Sequence, residues 1–202
     1  MLHNPAAVAR ERMLAAAFEI ARNDGVDAVT TRAVCTAAGV QAPSLYHHFG
    51  DRAGLISAVV DVAFEEYFHR KDAAAAPDDG DPRARVAAGW DAHVAFARAY
   101  PGLYPAMYPA SGPPPSQLGR SGALLRAGFD ELERAGALRP GITAALATNA
   151  LRAALRGVAH AVATNPGDRD DMTSAVVRDA LIHALIVADD RPGPAPSRPG
   201  PG

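Results

Sequence analysis

The most informative group of hydrogen-bonding side chains lies in residues 30–55, where the sequence is TTRAVCTAAGVQAPSLYHHFGDRAGL. Apolar residues recur there at helical spacing on both sides of Ala38-Gly39-Val40, and a glycine suits a turn that needs a positive φ. The second of the two short helices keeps hydroxyl, amide and imidazole groups on its outer side. Such groups bind phosphate oxygens and pair with the edges of bases. The segment therefore indicates a helix that offers hydrogen bonds to a polyanion.

The elements that must position these groups are helices whose ends are marked in the sequence. A first helix is predicted over residues 6–24, with Gly25 as its stop signal. Thr30 or Thr31 is the N-cap of the first short helix, and Asp51 caps the longer helix that follows the second one. One short helix braced by another at a steep angle is the arrangement with which a helix-turn-helix places side chains in the major groove.

The same segment carries a resemblance to a known family. The family pattern has a threonine at the start of helix two, an Ala-Gly-Val turn, a Tyr-x-x-Phe element, a basic residue and a leucine. The corresponding residues here are Thr30, Ala38-Gly39-Val40, Tyr46-His47-His48-Phe49, Arg52 and Leu55. On this pattern, residues 8–68 resemble the DNA-binding domain of the TetR family of bacterial transcriptional regulators. Arg52 stands where lysine is usual, and Cys35 stands where alanine is usual.

The resemblance implies two sets of contacts with double-stranded DNA. The residues expected to contact phosphates are Thr30, Tyr46 and Arg52. The residues expected to face the groove are Gln41, Pro43, Ser44 and His47, and Arg32 is a further candidate for either kind of contact. The second short helix contains no Arg, Lys or Asn, so we expect DNA shape, methyl contacts and phosphate positioning to supply much of the specificity.

The charge balance leaves the nature of the partner open. The chain has 202 residues and a net charge of −2, and residues 1–71 hold seven basic against eight acidic side chains. A nucleic-acid-binding domain is usually basic. Either nucleic acid is not the partner, or the positive charge is concentrated on one face.

The spacing of apolar residues predicts an all-α protein of about nine helices. The predicted helix ends divide it into an N-terminal helix-turn-helix unit of three helices and a C-terminal helical bundle, and the resemblance implies that this bundle serves ligand binding and dimerisation. The predicted parts are residues 1–50 as the DNA-binding domain, 51–72 as a connecting helix, 81–188 as the regulatory and dimerisation bundle, and 189–202 as a disordered tail. The last two helices, over residues 140–164 and 170–188, are rich in alanine and apolar side chains. The apolar surface of such helices must be buried, and a partner chain would bury it.

The predicted bundle collects most of the aromatic side chains. Its stretch AHVAFARAYPGLYPAMY resembles the regulatory domain of a TetR subgroup named for a Trp-His-Gly element, of which Leu151 to Gly157 retain only the glycine. The resemblance implies a site for a mostly apolar small molecule and a homodimer formed through the last two helices. The candidate pocket residues are Trp90, His93, Phe96, Tyr100, Tyr104, Met107, Tyr108 and Phe129. Aromatic residues at helical spacing also fit a packed core.

Several classes of function lack support in the sequence. The single cysteine, Cys35, excludes an internal disulfide, and the adjacent His47 and His48 diverge on a helix, so no metal or cofactor is expected. No nucleophile elbow, phosphate-binding glycine loop or zinc helix is present, so an enzyme is not predicted. No apolar run approaches the roughly 18 residues of a membrane span, which favours a soluble, cytoplasmic protein.

Two functions follow from these observations. The first is a homodimeric transcriptional repressor that binds a palindromic operator and is released by a small molecule. The second is a helical adaptor that binds proteins and not DNA, which the near-neutral charge of residues 1–71 favours.

Overall fold

The computed structural model describes residues 5–73, 81–109, 114–165 and 171–187, and in these ranges the chain consists of α-helices joined by short connections. The helices are α1 (Pro5–Asp24), α2 (Thr31–Ala38), α3 (Ala42–Phe49), α4 (Arg52–Ala73), α5 (Pro82–Ala99), α6 (Tyr104–Met107), α7 (Leu118–Arg134), α8 (Ala144–Thr164) and α9 (Asp171–Leu185). The prediction of an all-α fold with about nine helices is confirmed for the described part of the chain.

The first three helices form where their local signals predict. The Thr30 hydroxyl accepts a hydrogen bond of 3.2 Å from the backbone N–H of Ala33, which caps α2. Gly39 ends α2 in the left-handed region at φ +64°, where a side chain is disfavoured. The Asp51 carboxylate accepts a 2.8 Å bond from the N–H of Gly54 at the start of α4. Buried Val34 and Leu45 then hold α2 and α3 against the rest of the core.

One hydrophobic core joins this N-terminal unit to the bundle. Buried residues from α1 to α4 share a cluster with residues of α5, α6 and α8, including Phe96, Tyr104 and Ala159. Gly102 lies at the junction, because a Cβ there would come within 2.3 Å of the Ala21 carbonyl oxygen and 2.8 Å of the Gly25 Cα. The N-terminal unit is therefore packed directly on the bundle.

A second core fills the space between α5, α7, α8 and α9. Trp90 is buried in it, and its indole N–H donates a 2.9 Å hydrogen bond to the Ser174 hydroxyl on α9. Beyond α7, the backbone at Leu138 pairs with that at Ile186, the one bridge of this kind in the described residues. The end of α9 is thereby fixed to the α7–α8 connection.

Two helix ends differ from the predicted ones. The eighth helix begins at Ala144 and not at 140, because Gly141 at φ +83° interrupts the helix and the Thr143 hydroxyl caps the new start. The ninth helix ends at Leu185 and not at 188, because Ile186 joins the bridge. The predicted tail, residues 189–202, lies outside the described residues.

Membrane insertion finds no support in these helices. Within the described ranges, none has both the length and the apolar character that a span requires.

The junction at Gly102 gives a first prediction. The substitution Gly102→Ala should lower the free energy of unfolding by about 1–3 kcal/mol, because the added methyl group meets backbone atoms that cannot move aside easily. Gly119→Ala is the matched control, since a Cβ at that α7 position meets nothing within 4 Å and alanine favours a helix by up to about 1 kcal/mol. Urea unfolding of both variants measures the difference. Equal effects of the two substitutions would contradict the close approach.

Candidate nucleic-acid interface and bundle cavity

Helix α3 presents the side chains that the sequence predicts for DNA contact. Its buried face is anchored by Leu45, with Val40 and Phe49 packed beside it at the two ends. The Arg10 guanidinium of α1 lies over the Phe49 ring at 5.3 Å from its centroid. Both ends of α3 are thus held against the core, and its opposite face is left to solvent.

The eight predicted DNA-contact residues belong to α2, α3, their N-cap positions and the first residue of α4, and none of them is fully buried. Seven of them are exposed and Ser44 is half-buried. Gln41 occupies the N-cap position of α3 without capping through its side chain, and Pro43 lies in the first turn. The Tyr46 side chain is 50% exposed, which is unusual for a large aromatic residue. The remaining members are Thr30, Arg32, His47 and Arg52.

Arg52 has a positioning role that sequence reasoning did not predict. Its Nε donates to the Val29 carbonyl at 2.8 Å, and one terminal nitrogen donates to the Val26 carbonyl at 2.9 Å. These carbonyls belong to the segment just before α2. Arg52 therefore ties the start of α4 to the N-terminus of α2, where Thr30 lies.

Arg12 is a second positioning residue that the sequence analysis missed. Its guanidinium donates to the Ala38 carbonyl at the C-terminus of α2. A cation is favourable at this end of a helix, where carbonyl groups lack intrahelical partners. The signal in the sequence was weak, because an arginine on the polar side of α1 is usually only solvated.

The bundle contains a cavity of about 330 Å³ between α4, α5, α7 and α8. Four of the predicted pocket residues line it, namely Trp90, His93, Tyr108 and Phe129. The other four do not, because α5 and α6 turn them into the core shared with the N-terminal unit: Phe96, Tyr100, Tyr104 and Met107. Rings in that core lie in direct contact, such as Phe96 and Tyr100 at 4.7 Å between centroids.

A buried histidine links the cavity to the connecting helix. His93 Nδ1 lies 3.0 Å from the Tyr67 hydroxyl of α4, and its Nε2 lies 2.8 Å from the Tyr104 hydroxyl of α6. Burial, together with the nearby charge of Lys71, lowers the pKa of His93 to about 3. The ring is therefore neutral at pH 7, so that one nitrogen donates and the other accepts. The sequence analysis did not predict this role for Tyr67, whose hydroxyl stands on an otherwise apolar face of α4.

The cavity wall is more basic than the aromatic pattern predicts. Four basic side chains line it, and Glu131 is the one acidic side chain among the lining residues described. The basic residues are Lys71 on α4, Arg85 on α5, and Arg152 and Arg156 on α8. They come from three helices that are far apart in the sequence, so no local motif reveals the whole set.

No metal site accompanies these features in the described part of the chain, where no group of three or more His, Cys, Asp or Glu side chains could hold an ion.

Comparison with known proteins matches the N-terminal unit to a family and the fold to solved structures. Residues 13–59 match the family model described as bacterial regulatory proteins, tetR family. Among solved structures, a protein of unknown function from Rhodococcus sp. RHA1 is 27% identical, with a TM-score of 0.74 over 92% of this chain and 97% of that one. No curated protein matches the chain.

Two further structures are described as transcriptional regulators. A tetR family regulator from Shewanella sp. PV-4 is 18% identical, with a TM-score of 0.65 over 89% of this chain and 99% of that one. NalD from Pseudomonas aeruginosa, the secondary repressor of the MexAB-OprM multidrug efflux pump, is 19% identical, with a TM-score of 0.59 over 90% and 98%. These likenesses show the fold. The family match ends at residue 59, so the assignment to the Trp-His-Gly subgroup stays a prediction.

The neutral state of His93 predicts how stability depends on pH. The pKa of His93 is about 3 in the folded chain, against an ordinary value of 6.5 in the unfolded chain. Below pH 6.5 the unfolded chain therefore binds a proton that the folded chain does not bind, and the free energy of unfolding falls. Between pH 7 and pH 5 the histidine should cost the fold about 2 kcal/mol. Urea unfolding at the two pH values measures the loss.

Two variants separate His93 from the other titratable groups. His93→Gln should reduce the loss of stability between pH 7 and pH 5 by about that amount. His160→Gln, which changes an exposed histidine on α8, should leave it as it is. A wild-type pH dependence in His93→Gln would show that His93 does not titrate in this way.

Proposed function

Because the chain belongs to the TetR family of bacterial regulatory proteins, we propose that it is a transcriptional repressor that binds a palindromic operator as a homodimer. A small molecule in the bundle cavity releases it from the DNA. The observation on which the proposal rests is the exposed face of α3. Polar side chains and the half-exposed Tyr46 lie on this face, and the buried Leu45 anchors the opposite face of the helix. Its double-stranded DNA partner places the protein in the bacterial cytoplasm.

The dimensions of α3 suit a major groove. Eight residues of helix extend about 12 Å, which is close to the width of the groove. Gln41, Pro43, Ser44 and His47 face the bases in this arrangement. The phosphate contacts come from Thr30, Tyr46 and Arg52 at its margins, and Arg32 on α2 adds a cation beside them.

A homodimer through α8 and α9 supplies the second copy of the interface. Three large apolar side chains of these helices are exposed: Leu146 by 49%, Met172 by 73% and Val176 by 63%. Along α8 the exposed Ala153, Gly157 and Ala161 follow at spacings that keep them on one side, which permits close approach of a partner helix. A two-fold pair then places two α3 helices about 34–36 Å apart on the DNA.

The path from cavity to DNA runs through α4. Tyr67 and Lys71 of α4 line the cavity, and Arg52 at the other end of α4 holds the start of α2. A ligand that moves α4 by a small amount changes the distance between the two α3 helices. A coupling of about 1–3 kcal/mol is ordinary for such regulators. Repression is favoured over activation by the likeness to NalD.

A helical adaptor remains the second candidate function. The near-neutral charge of residues 1–71 favours it, since a DNA-binding domain is usually basic. Regulators of the same fold support a non-enzymatic role in either case. An adaptor would give no DNA band, whereas the repressor gives one that weakens steeply with salt, with log K falling by about 0.9 per phosphate contact for each unit of log salt.

The interface is tested by a gel shift with DNA from upstream of the chain's own gene. Tyr46→Ala should weaken binding about tenfold, because it removes a charge-assisted phosphate contact and the ring that holds it. Tyr46→Phe isolates the hydroxyl and should have a smaller effect of about threefold. Far-UV circular dichroism checks that both variants fold. Full affinity in Tyr46→Ala would show that Tyr46 does not contact the DNA.

The dimer is tested by Val176→Asp. A carboxylate buried between two copies is costly, so this variant should sediment as a monomer and lose most of its affinity for DNA. Ala127→Asp adds the same charge to an exposed position of α7, outside the proposed contact, and should remain a dimer. A dimeric Val176→Asp would place the interface elsewhere.

A further inference from the structure

Three of the four basic side chains that line the cavity form no ion pair with a carboxylate of the described residues. These three are Lys71, Arg152 and Arg156. Arg152 donates to the neutral Asn149 side chain at 2.9 Å, and Arg156 donates to the Pro109 carbonyl at 3.2 Å. The Lys71 ammonium lies 5.8 Å from the centre of the Tyr67 ring. The partners of these three cations are neutral, so the wall holds three basic side chains against the single described carboxylate of Glu131, which forms an ion pair with none of them.

A buried hydroxyl in the same wall also lacks a partner. The Tyr108 side chain is 6% exposed, and its hydroxyl makes no hydrogen bond to any described residue. Burial raises the pKa of this phenol far above its usual value, and the nearby Ser121 side chain and the charge of Arg156 oppose the rise. The hydroxyl is therefore a neutral donor within electrostatic reach of a guanidinium. An unpaired donor in such a place is satisfied by an acceptor on a bound molecule.

The rest of the wall is apolar. Trp90, Phe129, Leu151 and Leu155 line the cavity and are buried in the second core. A volume of about 330 Å³ is in the range that small organic ligands occupy. An ion without an apolar body would leave this surface uncovered.

From these three features we propose that the cavity binds an amphipathic organic acid. Its acid group lies against Arg156, Arg152 and Lys71 and accepts a hydrogen bond from the Tyr108 hydroxyl. Its apolar body lies against Trp90 and Phe129. The inference rests on the proposed function in one respect, namely that this cavity is the effector site. It replaces the expectation of a mostly apolar ligand, because an uncharged molecule would leave the cations and the hydroxyl unpaired.

Three probes of equal chain length test the charge of the ligand. They are decanoate, 1-decanol and decyltrimethylammonium, each titrated at pH 7.5 into the whole protein. Trp90 is the one tryptophan of the chain and lines the cavity, so its fluorescence reports binding at this site. Decanoate should bind about tenfold more tightly than decanol, as expected for charge-assisted hydrogen bonds, and the cation more weakly than either.

Variants then assign the preference to named side chains. The double change Arg152→Gln with Arg156→Gln should bring the affinity for decanoate down to that for decanol, with decanol binding itself unchanged. Tyr108→Phe should lower the affinity for decanoate about threefold without loss of stability, because the deleted hydroxyl has no partner in the fold. Arg126→Gln removes one cation of α7 that does not line the cavity and should change neither affinity. Retained decanol binding shows that each variant is folded.

The outcomes are separable from those of the proposed function. Equal affinities for the three probes, no fluorescence change with any of them, or an unchanged preference in the double variant overturns the inference. A gel shift with and without decanoate is read separately. DNA binding without a preference for decanoate leaves the repressor proposal standing, whereas a preference for decanoate without DNA binding overturns the repressor proposal alone.

Discussion

A histidine buried in the middle of the bundle needs a hydrogen-bond partner for each of its two ring nitrogens, and this need fixes the arrangement of the surrounding helices. His93 is 4% exposed, and each of its ring nitrogens faces a tyrosine hydroxyl from a different helix. Movement of α4 or α6 away from α5 would leave a buried polar group unpaired, at a cost of about 1–3 kcal/mol. The three helices are therefore held in one arrangement. Since only two residues separate the end of α3 from the start of α4, the same arrangement sets where α3 lies.

The cavity touches this network and the proposed dimer helices at once. Tyr67 and His93 form part of its wall, and so does Trp90, whose N–H bonds to Ser174 on α9. A molecule in the cavity can therefore bias α4 and α9 together. In the proposed dimer, the spacing of the two α3 helices would depend both on the tilt of α4 within a chain and on the contact between chains. Because one core joins α1 to α4 with α5, α6 and α8, the proposed release from DNA would need no large motion.

Features that depend on neighbouring residues, such as helix ends, could be predicted well from the sequence. The cap at Thr30, the left-handed Gly39 and the Asp51 cap act within a few positions, so the ends of α2, α3 and α4 could be predicted closely. Contacts between distant segments could not. The Leu138–Ile186 pairing at the end of α9 joins residues 48 positions apart, and no local pattern near either residue indicates it. The basic wall of the cavity likewise comes from three helices, and the aromatic pattern alone pointed to an apolar site.

Arg52 shows how a departure from a family pattern can be understood from its contacts. A lysine at this position offers one compact charge, which either binds a phosphate or caps a carbonyl. The Arg52 guanidinium donates to Val29 through Nε and to Val26 through one terminal nitrogen. Its other terminal nitrogen makes no hydrogen bond in the described part of the chain, and the side chain is 45% exposed. Five donors in a planar fork thus let one residue fix the start of α2 and still present two N–H groups to a phosphate. The arginine thereby joins the fold of the N-terminal unit to its proposed contact with DNA.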